Sequence, residues 1–191
     1  NNTLINWHQW QRLVRRPRRL ILAGAIALIF VGLPVMFYTR LPQLLKASYF
    51  YNRGVEKTDR KEYKSAIEDF NQAIQIHPKY ADAFSKRCHS RLMLGDRLRA
   101  MEDCTQALQL KPNFAQAYQA YTNRGIARLA LGDSQGAIAD YTQAIQMNSK
   151  HALAYNSRGH VREKLGDKKG AIEDFTQAIK VYAKFAPAYL N

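Results

Sequence analysis

Three sets of residues in this 191-residue chain have side chains that could do chemistry. The first is five histidines, His8, His77, His89, His151 and His160. They are scattered, with no His-x-x-x-His or Cys-x-x-Cys pair and no glycine-rich phosphate loop. No metal, no cofactor and no catalytic set is therefore expected. The second set is Cys88 and Cys104. These two either pack as small buried apolar groups or bridge, and the distance that decides between them is not readable from sequence. The third set is ionic. Arg53, Arg87, Arg124 and Arg158 are each followed four residues later by a second cation, Lys57, Arg91, Arg128 and Arg162. On a helix that spacing puts both charges on one face. Asp69, Asp103, Asp140 and Asp174 stand further along in matching places. Two readings compete: a structural ladder in which each arginine holds its aspartate through two parallel hydrogen bonds, or a basic stripe for phosphate groups.

Those matches arise because the chain repeats. Frames of 34 residues at 47–80, 81–114, 118–151 and 152–185 superpose their small residues. Gly54, Cys88, Gly125 and Gly159 share unit position 8; Ala66, Ala100, Ala137 and Ala171 share position 20; Ala73, Ala107, Ala144 and Ala178 share position 27. Position 24 is Phe70, Cys104, Tyr141 and Phe175. Two antiparallel helices approach closely only where side chains are small, and the aromatic fills the space beside them. Gly95-Asp96, Gly132-Asp133 and Gly166-Asp167 end one helix and open the next turn, and Pro78 and Pro112 stop the second helix. The period, the small residues, the aromatic and the prolines resemble the tetratricopeptide repeat (TPR) family. The resemblance implies an all-α right-handed solenoid of helical hairpins, here four repeats and the start of a fifth at 186–191. Two departures stand out. The first unit has Arg60-Lys61-Glu62 where the others have Gly-Asp, and Ala115–Ala117 are three extra residues, expected to lengthen the following helix by about one turn.

In such arrays the first helix of each unit lines a concave face. The resemblance therefore implies a peptide groove with Asn52, Lys86, His89, Asn123, Asn156 and His160 as candidate contacts. An asparagine offers a donor and an acceptor to an extended peptide backbone. Solvated side chains on an unused face are the alternative. TPR domains that dock heat-shock chaperones use a lysine and asparagine set that this chain does not reproduce, with Ser85 and His89 standing in its place.

Before Ala47 the chain is different in kind. It holds seven basic residues and no acidic one, half of the net charge of +14. Residues 1–19 read as a basic interfacial segment, with Trp7 and Trp10 on the apolar face and Arg15, Arg16, Arg18 and Arg19 suited to anionic lipid. Leu20–Tyr38 carries no charge and, at about 1.5 Å per residue, matches the roughly 30 Å of a bilayer's hydrocarbon core. Arg19 and Arg40 flank it. A single transmembrane helix over 20–38 is expected, then a linker over 39–46 and the repeats over 47–191. Five arginines before the span lean toward a cytoplasmic N-terminus, with the repeats on the opposite side.

The expected function is a non-enzymatic, membrane-anchored scaffold that binds proteins or peptides and assists assembly of a membrane complex. Phrases such as GDSQGAIADYTQAI resemble those of cyanobacterial TPR proteins, some of which, with one span, are photosystem assembly factors; that likeness extends the expectation to a photosynthetic complex. The competing reading is a stable subunit of a membrane complex, held through a small-residue face of Ala23, Gly24 and Ala27. Nucleic-acid binding fits the charge, but no recognition motif accompanies it.

Overall fold

The computed structural model describes residues 33–185, and for Leu33–Leu41 and the last two of these the backbone alone. Trp7, Trp10, Arg15, Arg16, Arg18 and Arg19, most of the expected span 20–38 and the start of a fifth unit lie outside the described residues. Of Arg40 only the backbone is described.

Eight helices account for the described chain: α1 (Leu33–Asp59), α2 (Tyr63–Ile76), α3 (Ala81–Met93), α4 (Arg97–Leu110), α5 (Ala117–Ala130), α6 (Ser134–Met147), α7 (Ala152–Lys164) and α8 (Lys168–Phe185). The chain divides into two compact units, residues 1–45 and 46–191. The described part of the first is helical, and the expected linker 39–46 lies within α1. Among the described residues no helix is long and apolar enough to cross a membrane.

The second unit is an all-α solenoid of hairpins, α1–α2, α3–α4, α5–α6 and α7–α8. Its core is alanine-rich because the helices nearly touch. Ala66, Ala73, Ala100, Ala107, Ala137 and Ala144 are fully buried. A Cβ placed on Gly54, Gly125 or Gly159 would lie 2.6, 2.7 or 2.8 Å from the ring of Phe70, Tyr141 or Phe175, so only hydrogen fits there. The turns follow the same economy. Gly95, Gly132 and Gly166 take φ of +78°, +92° and +87°, the left-handed geometry that closes a helix. In the first unit Lys61 adopts φ 62° instead, the one non-glycine residue to do so among the described residues. Asp133 and Asp167 then cap the next helix by accepting from the Gly136 and Gly170 amides at 2.8 and 2.9 Å.

The insertion behaves differently from expectation. The extra residues do not add a turn to α5, which starts at Ala117 and has 14 residues against 13 in α3 and α7. Phe114 is buried and its carbonyl accepts from the Ala117 amide at 2.9 Å. Anchored at Phe114, the added length is absorbed as a loop rather than as helix.

Candidate functional site

The ionic residues come together inside each hairpin. The Arg87 Nε and Nη2 donate to the two carboxylate oxygens of Asp103 at 2.8 and 2.6 Å. Arg124 does the same to Asp140 at 2.9 and 2.6 Å. Arg158 reaches Asp174 at 2.9 and 2.7 Å. Arg53 holds Asp69 in the same fork, its Nε at 2.9 Å. The second cation of each stripe lands on the same carboxylate: Lys57, Arg91, Arg128 and Arg162 at 2.8, 2.7, 2.9 and 2.9 Å. It also donates to a backbone carbonyl in the first turn of the second helix, Ser65, Arg99, Gly136 or Gly170. All four aspartates are buried. Each arginine of the fork lies over an aromatic ring one turn earlier, Phe50, Phe84, Tyr121 or Tyr155, at 5.1 to 5.9 Å. Spent in this way, the fork is not a stripe open to phosphate. Burial alone would raise the Asp69 pKa; hydrogen bonds and charge from Arg53 and Lys57 overcome it and hold the group below the usual carboxylate range. Two forks also reach the preceding unit: Arg87 donates to Asn71 at 2.6 Å and Arg158 to Thr142 at 3.0 Å.

The first helices leave a concavity of about 270 Å³ lined by Thr58, Asp59, Ser85, Lys86, His89, Gln119, Thr122, Asn123, His151 and Leu153. Among the candidate contacts, Lys86, His89 and Asn123 lie in its wall. Asn52, Asn156 and His160 do not line it; they are exposed elsewhere on their helices. His160 instead stacks edge-on against Phe175 and faces Glu163 at 3.8 Å. The lining follows a diagonal. It takes the last residues of α1, the middle of α3, the first half of α5 and the start of α7, so each successive helix contributes from nearer its N-terminus. Thr58, Asp59, Gln119 and His151 were therefore missed by comparing the same few positions in every unit.

Nine of the ten lining residues have polar side chains, Leu153 being the exception, and they can recognise charge. Ser85 and Thr122 are buried at its floor. His151 Nε2 and Thr122 Oγ1 share a hydrogen bond of 3.1 Å. Burial pushes the pKa of His151 below the usual imidazole range, and burial followed by the charge of Lys86 does the same for His89. Near neutral pH the two imidazoles are thus uncharged donors and acceptors. Lys86 supplies a cation and Asp59 an anion. Among the described residues no group of histidine, cysteine or carboxylate side chains is placed to hold a metal.

A stack of helical hairpins whose first helices leave a concavity defines a repeat-type scaffold. TPR family models match residues 47–80 and 122–188, and the chain carries tetratricopeptide repeats. An uncharacterized protein of Methanocaldococcus jannaschii is 38% identical over 50 residues, 26% of this chain and 58% of that protein. The chain thus spans little more than half the length of this curated relative. Three solved structures share the fold. MamA has a TM-score of 0.66 at 21% identity, covering 74% of this chain and 81% of that one. The Arabidopsis OM64 TPR domain has 0.60 at 22%, covering 64% and 98%. The first TPR of Spaghetti (RPAP3), bound to the HSP90 peptide SRMEEVD, has 0.60 at 23%, covering 64% and 94%. These likenesses carry the repeats and the fold; the membrane anchor and the cyanobacterial kinship draw no support from them.

Proposed function

We propose that this chain is a non-enzymatic TPR scaffold whose diagonal groove takes an extended segment of a protein partner, and that the apolar run 20–38 anchors it to a membrane where it serves assembly of a membrane complex. The observation that carries the binding reading is the convergence of Lys86, His89, Asn123 and Thr122 from two neighbouring first helices on one concavity. A TPR structure of the same fold with a peptide bound accords with it. The asparagine and glutamine amides suit a peptide backbone, and Lys86 with the two imidazoles suits an acidic side chain. The anchor reading rests on the uncharged stretch and its arginine flanks.

The test is capture of partners by the full chain in mild detergent, followed by direct titration of the captured segment. Lys86→Ala with Asn123→Ala should weaken binding at least about tenfold, as loss of one or two charge-assisted hydrogen bonds would. Asn156→Ala with His160→Ala, outside the concavity, should leave it unchanged. Equal effects of both pairs would sink the groove assignment. A partner lost only when 20–38 is replaced by polyleucine would favour instead a subunit held through its span.

A further inference from the structure

In three units, position 8 is glycine and position 24 is an aromatic ring packed against it so closely that a methyl group would clash. In the second unit both positions change together, to Cys88 and Cys104. Either change alone fails: a cysteine opposite a ring has no room, and a cysteine opposite a glycine leaves a void. Changed together, the two stand with Cα atoms 5.5 Å apart, within bridging distance, and form a disulfide across α3 and α4. Both are fully buried. The bond occupies the place the ring fills elsewhere. It closes a chain segment of 16 residues, and it sits on the helix that carries Lys86 and His89, one residue from His89.

We propose that the Cys88–Cys104 bond is a redox-dependent staple that keeps the second unit, and with it the Lys86–His89 wall of the concavity, in place, and that the repeat domain works in an oxidising compartment. The importance given to that wall rests on the groove reading above; the staple itself does not. The chemistry balances with thiol–disulfide partners. On formation the two thiols give up two protons and two electrons to a disulfide-bearing oxidant, which becomes a dithiol. On reduction a thiolate of a dithiol attacks one sulfur and expels the other as thiolate. The second thiol of the reductant then releases the mixed disulfide. Because neither sulfur is exposed, attack waits for α3 and α4 to part. The bond is therefore a durable support and not a fast switch. Disulfides of this kind persist where thiols are not kept reduced. The placement agrees with the arginine bias, which leans toward a cytoplasmic N-terminus with the repeats on the opposite side.

Three measurements on the full chain test this. Acid trapping of thiols in producing cells, then alkylation, should show both cysteines blocked until a dithiol is added; two freely alkylated thiols would overturn the compartment. Thermal melting with a dithiol present should fall by roughly 6–12 °C for a loop of this size. The variant carrying Cys88→Gly and Cys104→Phe, which rebuilds the ring packing of the other units, should melt alike with and without the dithiol. Amide hydrogen exchange should quicken on reduction over 81–110 and not over 134–164. Unchanged melting and exchange after complete reduction would refute the staple, even if that variant failed to fold. A groove that bound no peptide would defeat the proposed function while leaving these three outcomes as predicted.

Discussion

At the scale of single residues, the decisive fact is that four carboxylates are buried with two cations each. A buried ion pair adds little net stability over an apolar substitute, but removing one partner strands the other charge. Asp140 shows the consequence. Its neighbours Arg124 and Arg128 are only 15% and 28% exposed. Asp140→Ala is therefore expected to cost about 3 kcal/mol in urea unfolding. Glu163→Gln, which loosens only an exposed contact with His160, should change stability by less than about 0.5 kcal/mol. The half-buried imidazoles make a separate prediction. Burial lowers the pKa of both His89 and His151 in the fold, whereas the unfolded chain titrates near the ordinary value of about 6.5. As pH falls below that value the unfolded state takes up protons first, so stability is full above it and declines below it. The urea midpoint should be flat from pH 8 to 7, then drop toward pH 5. His151→Gln should shallow that drop; an unchanged slope would show that His151 does not contribute.

At the scale of helices and turns, local rules reach far because a repeat states them several times. Gly95, Gly132 and Gly166 adopt the left-handed φ that helix closure asks for. Gly132→Ala should cost roughly 1 kcal/mol from the Cβ clash in that conformation. In the first unit Lys61 bears the same strain at φ 62°, and Lys61→Gly should recover roughly 0.5–1 kcal/mol. Opposite signs for the two substitutions in chemical denaturation are the test. The same logic explains what was legible in the sequence. Period, close-approach glycines and turn chemistry are short-range patterns, and the Arg–Asp spacing of one hairpin is fixed by its own two helices. The insertion at 115–117 was not legible, because the buried Phe114 that fixes its shape acts through tertiary packing. The concavity was half legible. A table of unit positions lines up Lys86 with Asn123, both of which line it, but also points to Asn52, Asn156 and His160, which do not. The lining crosses the helices diagonally, and that offset between neighbouring helices is written in no single unit.

At the scale of the whole molecule, charge connects stability and binding. Each hairpin of the ladder joins two cations to one buried carboxylate; in the last two units an exposed acid, Asp133 or Asp167, also faces the second cation at 3.7 or 3.6 Å, so the surplus positive charge at the seam belongs to the first two units. The chain as a whole carries +14, and the repeats hold half of it. Like charges stacked unit after unit repel, and at low ionic strength little screens them; at about 0.15 M salt the screening length is near 8 Å, comparable to the spacing of packed helices. Raising salt should therefore raise the melting temperature of the full chain. The groove has the opposite dependence. Lys86 attracts an acidic segment through the same field, so that binding should weaken over the same salt range. Measured together, the two titrations separate causes that a single one would confuse. Stability and affinity both rising with salt would mean that the groove contact is apolar, centred on Leu153, and that Lys86 plays no part in recognition. Both falling would mean that the ladder's attractions, not the repulsion between units, dominate the charge of the array. Only opposite signs match a scaffold whose excess positive charge strains its own stack and serves it when an acidic partner arrives.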